Sequence, residues 1–299
     1  MESFYSRGKL LLSGEYLVLK GARALALPTK LGQTLSFEKK QSSQLIWKSL
    51  DKNGLSWFSA SFSLDNFSIF KTDNIEVANR LRYILLAVRH QNPIFLNLSG
   101  GNVTTRLEFD RYWGLGTSST LIVNLAKWAG VNPYTLLNET FGGSGYDIAC
   151  ASAEKALFYT SGKKTPKIED SDFDPKFKNA LYFVYLNQKK NSHQAVKEFM
   201  EKDINDGEIN RANELSMLIS VTKSLSEFEL LLGEHERFIG QLLSIEPIKE
   251  KYFKNFSGAI KSLGAWGGDF ILATGNSNTP NYFRGKGFST VFKYDDLIN

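Results

Sequence analysis

The sequence holds a single cysteine, Cys150, in 299 residues. A disulfide framework and a cysteine-based zinc site each need more than one thiol, so both are excluded, and a reducing compartment is the natural setting. Histidine is nearly as scarce. His90, His193 and His235 stand far apart and form no His-Glu-x-x-His arrangement, so each reads as a surface or packing residue rather than a metal ligand. Long apolar runs are missing as well: Leu10-Leu11-Leu12 is interrupted by Ser13, Gly14 and Glu15 before it could form a signal-peptide core. No stretch approaches the roughly 20 apolar residues of a membrane span. A soluble, cytoplasmic protein with no membrane partner is therefore expected.

Nor is there a basic tract. The formal charge is +5, but Lys and Arg alternate with acidic residues, as in Lys249-Glu250-Lys251. A nucleic-acid binder would need a contiguous basic face with exposed aromatics; the scattered excess fits an anionic small-molecule substrate at least as well. What is present is an ordinary globular composition, 42% apolar and 22% charged, long enough for one large domain or two smaller ones.

Along the chain, strand and helix patterns alternate without internal repeats. Residues 9–19 read as two short strands around a Ser13-Gly14 turn, with further strands at Gln44–Trp47 and Ser56–Ser63. From Ser118 onward Leu121, Ile122, Leu125, Trp128 and Ala129 recur at helical spacing until Gly130 and Pro133 stop them. A second glycine cluster, Gly142-Gly143-Ser144-Gly145, opens a helix through Ile148, Ala151 and Ala153. The composition shift over Ser161–Lys167 marks a boundary or a long connection. Beyond it come a strand at Ala180–Tyr185, then mainly helices, then strand composition at Phe270–Ala273 and Thr290–Tyr294. The whole reads as two α/β lobes, residues 1–160 and 161–299.

The chemistry begins at Gly114-Leu115-Gly116-Thr117-Ser118-Ser119. Two glycines permit close backbone approach to a ligand, three hydroxyls can meet anionic oxygens or a metal, and the following helix offers free N–H groups at its positive end. No Walker A lysine follows, and no Gly-x-Gly-x-x-Gly occurs. The plainer alternative is a glycine turn with Thr117 or Ser118 as an ordinary helix cap.

This loop resembles the second motif of the GHMP kinase superfamily, whose core reads Gly-Leu-Gly-Ser-Ser-Ala. The run from Gly8 to Leu19, Gly-Lys-Leu-Leu-Leu-Ser-Gly-Glu-Tyr-Leu-Val-Leu, is similar to the first motif in its phosphomevalonate kinase form, and Lys261–Asp269 resembles the third, Gly-Ala-Gly-Gly-Gly. Ser144-Gly145-Tyr146-Asp147 resembles the Ser-Gly-x-Asp of mevalonate and phosphomevalonate kinases. The matches cover roughly 30 residues, in family order, from one end of the chain to the other.

The resemblance implies a two-lobed α/β (α+β) fold, with an N-terminal lobe like domain 2 of ribosomal protein S5 and a ferredoxin-like C-terminal lobe. It implies ATP and Mg2+ as cofactors and a small-molecule acceptor, in a monomer or homodimer. Phosphoryl transfer asks a protein to align a nucleophile, offset charge and hold magnesium. By resemblance Asp147 is the base, with Lys9 beside it, and the backbone of Gly114, Leu115, Gly116, Thr117, Ser118 and Ser119 cradles the nucleotide phosphates. Ser118 is a magnesium ligand, and Glu139 is a candidate second one. Glu15, Ser144, Gly145, Ser192, Gly264, Ala265, Gly267 and Gly268 fall to the substrate side. Read without the family, Asp147 and Ser192 are plain helix caps, Lys9 is a solvated strand-end lysine and Glu15 an exposed turn residue.

The chain also departs from the pattern. Arg7 and Asp110 stand where prolines are usual, Tyr112-Trp113 replace small residues before Gly114, and Trp266 enters the third glycine loop. Two rings in phosphate loops suggest that Trp113 and Trp266 pack near each other and reshape the nucleotide site. The Arg-Thr-Asn of galactokinases, the homoserine kinase pattern and the decarboxylase Lys-Tyr-Trp-Gly are absent. Mevalonate or 5-phosphomevalonate is therefore the expected acceptor, leaning to the latter. The alternatives are a kinase for another acceptor and a non-catalytic nucleotide binder of the same fold.

Overall fold

The structure, a computed structural model, describes residues 1–162, 165–188, 192–264, 266 and 268–299. The first half of the chain forms β1 (Glu2–Ser13), a 3₁₀ turn (Leu17–Lys20), β2 (Ala24–Lys39), β3 (Gln44–Leu50), β4 (Ser56–Ser63) and β5 (Ile69–Thr72). These are followed by α1 (Ile75–Gln91), β6 (Gly101–Leu107), α2 (Thr117–Ala129), α3 (Pro133–Thr140) and α4 (Tyr146–Ala151). Then come β7 (Leu157–Thr160), β8 (Lys167–Asp170), β9 (Leu181–Tyr185), α5 (Ser192–Met200), α6 (Asp206–Val221), α7 (Leu225–Leu243) and α8 (Ile248–Tyr252). The chain ends with β10 (Ile260–Leu263), β11 (Phe270–Thr274), α9 (Thr279–Gly285), β12 (Val291–Lys293) and α10 (Tyr294–Leu297). They build two compact units: Met1–Gly8, Leu31–Arg111 and Leu115–Ser152 in the first, Lys9–Lys30, Tyr112–Gly114 and Ala153–Asn299 in the second.

In the first unit the strands run β5-β4-β3-β6-β2, antiparallel except for the parallel β3–β6 pair. Alternation decides the faces: on β3 Leu45, Trp47 and Ser49 are buried while Gln44, Ile46 and Lys48 are exposed. Leu45 lies opposite Phe62 and Trp47 opposite Ala60 on β4. Against this face packs the stripe of α1 that recurs every three or four residues, Ala78, Leu81, Leu85 and Val88, together with Ile122 and Leu125 of α2. The side chain of Asn74 accepts from Val77 N–H to start α1, and Gly130, in the left-handed region, ends α2.

In the second unit the sheet order β10-β11-β9-β12 is wholly antiparallel, and helices separate β9 from β10 and β11 from β12. This is the split-βαβ, ferredoxin-like order expected of the C-terminal lobe. Every residue of β9 and of β11 is buried, which is why both read as continuous apolar runs rather than alternating ones.

Two local readings need correction, the strands expected over residues 9–19 and the extent of the helix after Gly145; the connection read at Ser161–Lys167 is present. Residues 9–19 are not two strands: β1 runs unbroken to Ser13, and the chain then turns through Gly14 and Tyr16, at φ 82° and 61°, into the 3₁₀ turn. Leu17 and Val18 are apolar because they are buried, not because they pair in a sheet. The Ser161–Lys167 run connects β7 to β8, which pair antiparallel with Thr160 opposite Lys167. In addition α4 stops at Ala151, short of Ala153.

Candidate functional site

Within the first unit, α2 starts from a glycine. Gly116 sits at φ 98°, a conformation costly for any residue with a Cβ, and as the cap residue it offers no side chain to the first-turn N–H groups. Of the hydroxyls that follow, that of Thr117 donates to the Arg111 carbonyl (3.3 Å) and that of Ser119 to the Gly116 carbonyl (3.0 Å). Ser118 is exposed, and its hydroxyl has no partner among the described residues. Leu115 is fully buried and pins the loop from below. This arrangement, free N–H groups around an open hydroxyl at the positive end of a 13-residue helix, fits phosphate oxygens and the magnesium that accompanies them.

Helix α4 packs against α2 and repeats the device: Gly145, at φ 85°, caps it without a side-chain bond. Asp147 is half-buried in its first turn, where Oδ1 accepts from Ile148 N–H at 3.1 Å, so the helix end favours the carboxylate anion. Tyr134 on α3 senses that charge: burial first, and Asp147 second, push its phenol up to about 12. Ser144 lies half-buried just before the cap. Glu139, by contrast, faces α1. Its Oε2 accepts from Gln91 Nε2 at 3.0 Å, and Oε1 lies 3.9 Å from His90 Nδ1. Among the described residues no group of three or more His, Cys, Asp or Glu side chains gathers as a metal set, so a cation here would draw most of its ligands from phosphate and water.

In the second unit Lys9 is half-buried on β1. Glu15 is not an exposed turn residue but fully buried, with Oε1 bonded to the ammonium of the equally buried Lys261. Its Oε2 lies 3.4 Å from His235 Nε2, and that nitrogen accepts from Gly14 N–H at 3.1 Å. Lys261 also donates to the Ser262 carbonyl (2.9 Å), while Glu236 accepts from Ser262 N–H (2.9 Å) and hydroxyl (2.7 Å). Burial raises the Glu15 carboxyl to about 7, against the pull of Lys261, and pushes Glu236 up too; burial, with Lys261, holds the His235 imidazole well below its usual range. The geometry gives Glu15 a buried partner, Lys261, inside its own unit.

Gly264 is half-buried at φ 66° and Gly268 is buried. Ala265, Gly267 and the side chain of Ser192 lie outside the described residues. The expected pairing of the two tryptophans does not occur. Trp113 packs on Tyr185, Phe270 and Phe292, whereas Trp266, at φ 34°, turns into a cluster with Tyr16, Leu17, Phe199 and Ile239. Each ring thus enters core of the second unit instead of a shared site.

Sequence reasoning missed His235, Glu236 and Lys261 as a set. A signal was present in Lys261, a lysine inside the short apolar strand Ile260–Leu263, since such a charge is buried only when paired.

No family model matches the chain, and no curated protein matches it in sequence. Solved structures do match. The Methanococcus jannaschii mevalonate kinase superposes at TM-score 0.71 and 17% identity, over 97% of this chain and 96% of that one. Streptococcus pneumoniae phosphomevalonate kinase in complex with phosphomevalonate and AMPPNP gives 0.68 and 17%, over 98% and 100%. Lactococcus lactis galactokinase complexed with galactose gives 0.69 and 14%, over 97% and 92%. The chain has the two-lobed α/β fold of these small-molecule kinases along nearly its whole length. Among the described residues no helix is long and apolar enough to cross a membrane.

Proposed function

We propose that this chain, which has the GHMP kinase fold, is an ATP-dependent kinase of a small acceptor, with mevalonate and 5-phosphomevalonate as the candidates and a lean to the latter. The observation that carries the reading is the start of α2: a glycine-capped helix end with free N–H groups and an open Ser118 hydroxyl, in a fold whose solved examples include one holding AMPPNP. ATP would supply the phosphoryl group, and magnesium would offset its charge. The backbone from Gly114 to Ser119 and the Ser118 hydroxyl would hold phosphates and metal. Glu139 would have to release Gln91 to join as a ligand.

Asp147 would take the proton of a hydroxyl acceptor, and Lys9 would steady the nucleophilic oxygen. Gly145 and Ser144, before Asp147, and Gly264 and Gly268, ahead of β11, would border the acceptor. The lean to phosphomevalonate rests on Gly14-Glu15-Tyr16 and Gly267-Gly268-Asp269, which resemble that enzyme's motifs. A cytoplasmic setting follows from the single thiol.

The test is ADP release from Mg-ATP with mevalonate, with 5-phosphomevalonate and with no acceptor. Turnover with one acceptor names the substrate; Mg-ATP binding without turnover on either moves the reading to another acceptor or to a non-catalytic binder. Ser118→Ala is expected to raise KM for Mg-ATP about ten-fold, equivalent to about 1.4 kcal/mol, without lowering Tm, because the hydroxyl is exposed. An unchanged KM would remove Ser118 from the phosphate site.

A further inference from the structure

Trp113 is 9% exposed although it lies in a loop, between β6 and α2. Its ring meets Phe292 edge-on at 5.2 Å, Phe270 at 90° and 6.2 Å, and Tyr185 at 6.2 Å, so it packs on aromatics from three neighbouring strands, β12, β9 and β11. Its neighbours are held to the same sheet. The Tyr185 phenol donates to the Tyr112 carbonyl at 3.2 Å. Gly114, at φ 68°, lies so close to Asp269 that a Cβ would stand 2.1 Å from Oδ2. Asp269 is itself fixed, since its carbonyl accepts from Leu186 N–H at 2.9 Å. Tyr112 and Trp113 are therefore tied to one sheet, by a hydrogen bond and by ring packing, and Gly114 lies close against the residue that leads into β11. Two residues beyond Gly114 the chain reaches Gly116, the bare cap of α2, and then Ser118.

We propose that Trp113 is a positioning residue for nucleotide binding: seated among Tyr185, Phe270 and Phe292, it sets the backbone from which the Gly114–Ser119 turn departs. The inference rests on the kinase reading and deepens it. A loop whose N–H groups must converge on phosphate gains affinity when its backbone is ordered before the ligand arrives, because less freedom is lost on binding. A buried ring packed on three aromatic partners supplies that order, where a small residue would forgo the packing. In the reading above the acceptor is bordered by Gly264 and Gly268, whereas Trp113 itself leads into the Gly114–Ser119 turn, so the larger effect belongs to the nucleotide.

The test compares Trp113→Ala, Trp113→Phe and Tyr185→Phe in the full chain, by displacement of a fluorescent ADP analogue with Mg-ADP and by initial rates. Trp113→Ala is expected to weaken Mg-ADP binding and raise KM for ATP at least about ten-fold, with the acceptor KM within about three-fold. Trp113→Phe should restore nucleotide binding to within about three-fold, and Tyr185→Phe, which removes the bond to the Tyr112 carbonyl, should weaken it about three-fold with a Tm lower by no more than a few degrees. A folded Trp113→Ala that binds Mg-ADP like the wild type overturns the inference and leaves the kinase reading standing. Equal losses for nucleotide and acceptor overturn it as well. Should Trp113→Ala not fold, Tyr185→Phe decides, and unchanged nucleotide affinity there overturns the inference. A wild-type chain that does not bind Mg-ADP overturns both.

Discussion

Asp147→Asn is expected to lower kcat by about 10²–10⁴ with an alcohol acceptor, while KM for ATP stays within a few-fold and the fold is kept. Asparagine preserves the shape, and its amide oxygen can still accept from Ile148 N–H, so the contact that holds the side chain at the start of α4 survives. What is lost is the anion, which the glycine-capped helix end favours. The size of the loss also reports on the acceptor. A hydroxyl must shed a proton as the new bond forms, whereas a phosphate monoester with its second pKa near 6 is largely ionised above pH 7 and needs little help. A loss well under about ten-fold is expected with phosphomevalonate at pH 8, and a far larger one with mevalonate. Measuring kcat for each acceptor at pH 8 checks this, and full activity of Asp147→Asn on an alcohol would remove Asp147 as base.

The helix starts that carry Ser118 and Asp147 were legible in the sequence for one reason: the features that make them are local. Gly116 and Gly145 take positive φ immediately before helices, and glycine followed by small polar residues and an apolar helical stripe announces that in a few letters. The strand Ser56–Ser63 was legible in its full extent because its alternation of Phe58, Ala60 and Phe62 with smaller residues is equally local. The 3₁₀ turn that follows Ser13-Gly14, where a second strand was expected, was not. Tyr16 adopts φ 61° because its ring is drawn into a buried cluster with Phe199 and Trp266, and neither partner lies near it in sequence. The rings of Trp113 and Trp266 misled for the same reason: glycine-rich surroundings said that each stood in a loop, but not which core the ring would enter. Glu15 is the extreme case, since its partner Lys261 is 246 residues away.

That pair carries the largest expected effect on stability. Lys261→Met should destabilise the protein by about 3–5 kcal/mol at pH 8, because it strands Glu15 and Glu236 as buried carboxyls without their cation. The loss should shrink at lower pH, where protonation neutralises the stranded groups. Adding Glu15→Gln should recover part of it, since removing both partners of a buried pair costs far less than removing one. The signs follow from the two titrations. Glu15 is raised from 4.5 to about 7, so between those values the folded state holds a proton that the unfolded state has released, and stability falls as pH rises through that window. His235 acts oppositely: its imidazole is held well below 6.5, so the unfolded state takes up the proton first and stability falls as pH drops below 6.5. The Gly14 N–H on Nε2 places the imidazole proton at Nδ1. In the wild type the two slopes oppose each other between pH 4.5 and 6.5. His235→Gln should unmask the Glu15 slope, a gain of about 3 kcal/mol on going from pH 7 to pH 4.5, read as a shift of the urea midpoint across that range. A flat profile in His235→Gln, or a Lys261→Met variant as stable as the wild type at pH 8, would mean that the cluster does not hold its charges in this arrangement.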